Sequence, residues 1–182
     1  KMKVILNKKK SDMFFGNKIP TGYFQSLNPL FIITLAPLMS TLWSKLREHL
    51  KEPSSVEKFA ISLFLMSVAY LIMIFAGSLS ESSKISPLWL VLVYFVMTVS
   101  ELCLSPIGLS LVSKLAPRKF LSLTMGCWFL TCFIGDTLAG FWGGKYGNIS
   151  SVQLFMPLAI LSFSAFILLL IFLPKFNKSL KM

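Results

Sequence analysis

The sequence predicts an all-α integral membrane protein with five transmembrane helices, and three observations predict it. Of 182 residues, 55% are hydrophobic and only 14% are charged, where a soluble domain carries about a quarter charged. Mean hydropathy is +0.74. Five apolar runs, at about 20–45, 58–77, 88–112, 120–142 and 152–173, are each long enough to cross about 30 Å of hydrocarbon. They divide the chain into a basic N-terminal segment (1–18), a five-helix membrane domain (19–174) and a basic tail (175–182).

The first span opens at Ile19-Pro20-Thr21, with proline suited to a first helical turn. Pro29 and Pro37 lie within it and predict kinks, because neighbouring helices can satisfy the freed carbonyls. Thr21, Gln25 and Asn28 share one face by their spacing. That face either lines a solvated cavity or bonds helix to helix. A charged loop, Leu46 to Glu57, follows, and the second span reads as scaffold.

After a polar turn from Ser78 to Pro87 comes the third span, the most informative one. Tyr94, Thr98, Glu101 and Ser105 form a polar stripe along it, centred on a carboxylate about halfway through the run. A charge at that depth costs roughly 2.5–3.5 kcal/mol on insertion scales, which marks it as a functional candidate. One turn later, Pro106 removes an amide donor and Gly108 adds flexibility, so the helix can bend there for functional or purely structural reasons.

In the fourth span Trp128, Cys132 and Asp136 form a second stripe, with Trp128 facing a cavity or an interfacial belt. Gly126, Gly135 and Gly140 would permit close helix approach. The fifth span is the most uniformly apolar, and Pro174 is expected to end it. The glycine-rich turn at Trp142–Asn148 neither follows a strand nor carries a lysine-serine pair, so it is not a phosphate loop.

The net charge of +11 raises nucleic acid as a partner, but the positions of the 18 basic residues argue against it. Lys45, Arg47, Lys51 and Lys58 form one cluster, Lys114, Arg118 and Lys119 a second, and Lys175, Lys178 and Lys181 a third. Such loops lie on the cytoplasmic side of a bilayer, which places the C-terminus in the cytoplasm. The six lysines of residues 1–18 contradict that orientation, so truncation or an upstream helix pair is expected. Cys103, Cys127 and Cys132 read as small packing residues, with no metal site expected.

Ile19 to Phe31, Lys58-Phe59-Ala60, Ser86 to Leu90, Glu101 to Leu109, Lys114 to Pro117 and Trp128-Phe129-Leu130 together resemble the proton-dependent oligopeptide transporters of the major facilitator superfamily. The resemblance matches the five spans to helices 8–12 of that twelve-helix fold. It implies a C-terminal part of a symporter of di- and tripeptides in the cell (inner) membrane, with protons as the coupling ion, no other cofactor and no enzymatic activity. It implies proton coupling and amino-terminus binding at Glu101, and substrate contacts at Asn28, Trp128 and Cys132. Gln25, Tyr94, Thr98, Ser105 and Asp136 are candidate cavity-lining residues. The first seven helices are not in the chain, so an N-terminal half is an expected partner, and the alternative is a non-transporting remnant or split-gene product.

Overall fold

The structure is a computed structural model, and it describes residues 13–14, 17–18, 22–49, 53–82, 86–145 and 149–180. Strands β1 (Met13–Phe14) and β2 (Asn17–Lys18) pair as a short antiparallel hairpin. Helix α1 (Gly22–Gln25) is separated by a turn at Ser26 from α2 (Leu27–His49). Then follow α3 (Ser55–Ser82), α4 (Leu88–Leu115), a 3-10 turn (Arg118–Phe120), α5 (Leu121–Gly143) and α6 (Ser151–Leu180). Five of these helices, α2 to α6, are long and apolar enough to cross a membrane.

Local sequence explains where the helices start and stop. Ser54 and Glu57 form a capping box at α3: the Ser54 amide donates to the Glu57 carboxylate at 2.7 Å, and the Glu57 amide to Ser54 Oγ at 3.2 Å. Ser150 and Gln153 repeat the device at α6, with both bonds at 3.2 Å. The two motifs, Ser54-Ser55-Val56-Glu57 and Ser150-Ser151-Val152-Gln153, are visible in the sequence as helix starts. Helix α4 ends at Ala116, which the following Pro117 holds in an extended conformation, with ψ of 129°.

Several expectations are corrected. Pro29 is the third residue of α2, where its missing amide has no helical partner to lose, so it marks the helix start rather than a kink. Pro174 does not end α6, which continues to Leu180 through both Pro157 and Pro174. The loop expected over 46–57 is shorter, because α2 runs on to His49 and α3 starts at Ser55. The polar turn expected over 78–87 is likewise partly helical, as α3 reaches Ser82. Lys58 is not a loop cation: it is 8% exposed, and its ammonium lies 4.6 Å from the centre of the Trp43 ring, joining α3 to α2.

Helix α3 is the centre of the bundle and packs along both α4 and α6, while α2 and α5 lie against α4. Beyond its first turn, where Val56 and Lys58 are buried, its buried positions are small: Ala60, Ser62, Ser67, Ala69 and Ala76. Small residues let helix backbones approach closely within lipid. Gly77 shows the extreme case, since any Cβ there would overlap the Ser151 side chain at the start of α6. Between α3 and α4 the buried Ser62 and Ser100 hydroxyls bond at 3.0 Å, and Ser100 Oγ also lies 2.8 Å from the Ser62 carbonyl oxygen. Aromatic pairs Tyr70–Phe155 and Phe64–Phe166 extend the α3–α6 contact, and Phe75–Trp89 the contact with α4.

Ala69 has no exposed surface. Ala69→Leu is therefore expected to overpack the seam and cost about 1–3 kcal/mol, read as a lowered unfolding midpoint in detergent. Leu161→Ala, on a side chain 66% exposed, should leave the midpoint nearly unchanged.

Candidate functional site

Glu101 stands midway along α4, and Asn28 is the second residue of α2. The structure brings them together: Asn28 Nδ2 donates to Glu101 Oε2 at 3.1 Å. The Ser26 turn makes this possible, because it starts α2 beside the carboxylate. The positive end of the α2 dipole then lies next to a negative charge. The other atom of the Asn28 amide, Oδ1, is buried, and no donor among the described residues reaches it. The pair thus offers an anionic oxygen and an unsatisfied neutral acceptor side by side, a combination suited to a cation that also donates hydrogen bonds.

Trp128 reaches the same side of α4. Its indole lies over Gly108, where an added Cβ would collide with the ring. Residues 101 and 108 are seven apart, close to two full helical turns, so the Glu101 carboxylate and the Trp128 indole share one face of α4. Glycine at 108 is what lets the outer edge of the indole's six-membered ring reach the helix. Edge-to-face packing of Phe31 on Phe95, with centroids 5.7 Å apart, supplies an apolar contact between α2 and α4.

The other predicted residues divide. Tyr94 and Ser105 are partly exposed on α4, and Cys132 and Asp136 are exposed on α5. Gln25 is exposed on α1 and lies across the Ser26 turn from Asn28, so the two do not share one continuous helix face. Thr21 lies outside the described residues. Thr98 is corrected: it is fully buried, and its hydroxyl donates to the Tyr94 carbonyl at 2.7 Å, so it lines no cavity. Glu101 lies midway along a membrane-span helix yet is exposed, because α2 and α5 flank that face of α4 without covering it. Gly126, Gly135 and Gly140 meet open space rather than a close helix. Ser100 was not singled out in the sequence. It is one residue from Glu101, but it turns toward α3 and is buried there.

A hydrogen-bonded carboxylate and amide on the open face of a membrane bundle mark that face as the candidate functional site. Comparison with known proteins gives the family. Residues 10–157 match the POT family. The chain is 36% identical over 166 residues to the uncharacterized transporter YclF of Bacillus subtilis (strain 168), covering 91% of this chain and 33% of that protein. It is 42% identical over 135 residues to the peptide transporter YePEPT of Yersinia enterocolitica subsp. palearctica, covering 72% of this chain and 26% of that one. It is 46% identical over 113 residues to a di-/tripeptide transporter of Lactococcus lactis, covering 62% and 22%.

Among solved structures, peptide transporter POT in complex with sulfate matches with a TM-score of 0.81 at 34% identity, covering 94% of this chain and 35% of that one. A POT family transporter in complex with a thioalcohol-conjugated peptide matches with a TM-score of 0.79 at 31% identity, covering 94% and 36%. The chain belongs to the POT family, and its five membrane helices take that family's major-facilitator-type arrangement. It spans between 22% and 36% of the length of these relatives.

The Gly108–Trp128 contact yields a direct test. Gly108→Ala should displace the indole and lower stability by about 1–3 kcal/mol, with a shift in tryptophan fluorescence. Gly126→Ala on α5, whose methyl would enter open space, should leave both readings in place.

Proposed function

We propose that this chain forms one wall of the central peptide site of a proton-coupled di- and tripeptide symporter. The observation that carries the reading is the Asn28–Glu101 pair, with its carboxylate and its buried, unsatisfied Asn28 Oδ1. A peptide amino terminus is an ammonium with three donors, and it can satisfy both acceptors at once. A proton on Glu101 neutralises the carboxylate and removes its charge attraction for the ammonium. The arriving ammonium favours the ionised carboxylate, so the proton it displaces from Glu101 passes to an acceptor on the opposite wall and is released inward with the peptide, which moves the two together. Trp128, two turns along the same face, supplies an apolar wall for a peptide side chain, and Cys132 follows it by one turn on α5. Asp136, Gln25, Tyr94 and Ser105 lie at the margins of that wall.

Relatives named as peptide transporters support the substrate class. The open faces of α2 and α5 support a second helical unit opposite them, completing the cavity. In this reading the protein lies in the inner membrane with its C-terminus in the cytoplasm, as the basic 114–119 junction and the tail suggest. Protons are its only coupling ion, and no other cofactor takes part. A second reading, a bundle that transports nothing, draws on the exposure of Glu101 and of α5.

The test is uptake of labelled dialanine into proteoliposomes under an inward proton gradient. The chain is reconstituted alone and together with the first seven helices of a family relative. Uptake is expected only with both parts, and Glu101→Gln should reduce it at least about tenfold, the loss expected when a positioned proton-transfer group is removed. Unchanged uptake in the glutamine variant would sink the role of Glu101. No uptake in any combination would favour the non-transporting bundle. Asn28→Ala should raise the half-saturating dipeptide concentration without altering the pH dependence.

A further inference from the structure

The junction between α4 and α5 carries a group of cations that the peptide site does not use. Lys114 is in the last turn of α4, and Arg118 and Lys119 form the 3-10 turn that leads into α5. All three are exposed, and among the described residues none of them meets a carboxylate. The acids of the two joined helices are remote. Glu101 is 13 residues back along α4, about 20 Å, and Asp136 is 15 residues into α5, about 22 Å, at 1.5 Å per residue. Membrane helices can leave cations at their ends, but three within six positions form a concentrated positive field; the acids at the same end of the bundle, Glu48 and Glu57, belong to the α2–α3 junction, where Glu57 is engaged by the Ser54 amide.

Two further features sit at the same place. Helix α5 has no side-chain cap at its N-terminus, where Phe120 occupies the cap position. The positive end of its dipole stands beside Arg118 and Lys119. Around the cations stands an exposed apolar shoulder: Leu115 is 61% exposed, Phe120 51% and Leu123 66%. Lys119 lies over the Phe120 ring at 5.8 Å, so charge and apolar surface are contiguous.

We propose that this junction binds the headgroup of an anionic phospholipid, with Lys114, Arg118 and Lys119 on the phosphate and Leu115, Phe120 and Leu123 against the upper acyl chains. A free phosphate would use only the cations. A lipid uses both halves of the surface, and the bilayer supplies it at high local concentration. Basic residues beside a membrane helix attract anionic lipid through the surface field. Arginine adds a planar fork that matches phosphate oxygens. The inference requires membrane insertion but not peptide transport.

Native mass spectrometry of the full chain, released from micelles doped with equal phosphatidylglycerol and phosphatidylcholine of matched acyl chains, tests it. The wild-type chain should retain phosphatidylglycerol at least about tenfold over phosphatidylcholine, since three cations near the surface each contribute on the order of 1 kcal/mol. The exposed triple variant Lys114→Gln, Arg118→Gln, Lys119→Gln should retain the two lipids nearly equally while keeping the wild-type circular dichroism. Lys145→Gln, away from this junction, should keep the preference. Equal retention by the wild-type chain overturns the proposal, and so does a preference that survives the triple variant. Displacement of the lipid by equimolar glycerol 3-phosphate overturns it as well, because the site would then read phosphate alone.

Discussion

Close approach along α3 is the constraint on which the bundle depends. A helix flanked on both sides by other helices must present small side chains to each, and Ala60, Ser62, Ser67, Ala69 and Ala76 do so. Lipid tails are as apolar as leucine, so burial alone supplies little drive for helices to associate within a bilayer. Tight packing and buried hydrogen bonds must supply it instead. The Ser62–Ser100 bond meets that need and also sets the rotation of α4. With Ser100 turned toward α3, the next residue, Glu101, is rotated about 100° away toward α2.

That rotation gives the site its chemistry. A carboxylate midway along a membrane helix is expensive, and one hydrogen bond to a charged group returns only about 1.5–3 kcal/mol. Asn28 provides such a bond, but it leaves its own Oδ1 buried and unsatisfied. The pair is therefore short of donors by construction. An arrangement short of donors is suited to a cation that brings its own N–H groups.

The two outer helices have a different status. Neither α2 nor α5 has a buried residue in its membrane-span window, whereas α3 and α4 do. The α5 glycines meet open space, and α5 is held mainly through Trp128 on Gly108 and through the Trp142 indole, which donates to the Leu154 carbonyl at 2.9 Å. Both helices flank the open side of α4, where Glu101 lies. The least packed elements thus surround the chemically active face, while the Ser62–Ser100 bonds that fix α4 lie about 100° round the helix, toward α3.

The sequence by itself determined that the chain crosses the membrane five times and that α4 carries an intramembrane carboxylate. Both follow from hydropathy, which depends only on composition within a window. The pairing of Asn28 with Glu101 and the seat of Trp128 were decided by tertiary structure, because each joins residues on different helices. The sequence pattern gave Asn28, Glu101 and Trp128 as separate candidates without showing which would touch. It also misjudged Thr98, since helical spacing places a hydroxyl on a stripe but does not show that it bonds back to its own helix. The carboxylate at 101 was legible from its cost. Its exposure was not, because exposure depends on which helices cover α4, and spacing along one helix carries no information about its neighbours.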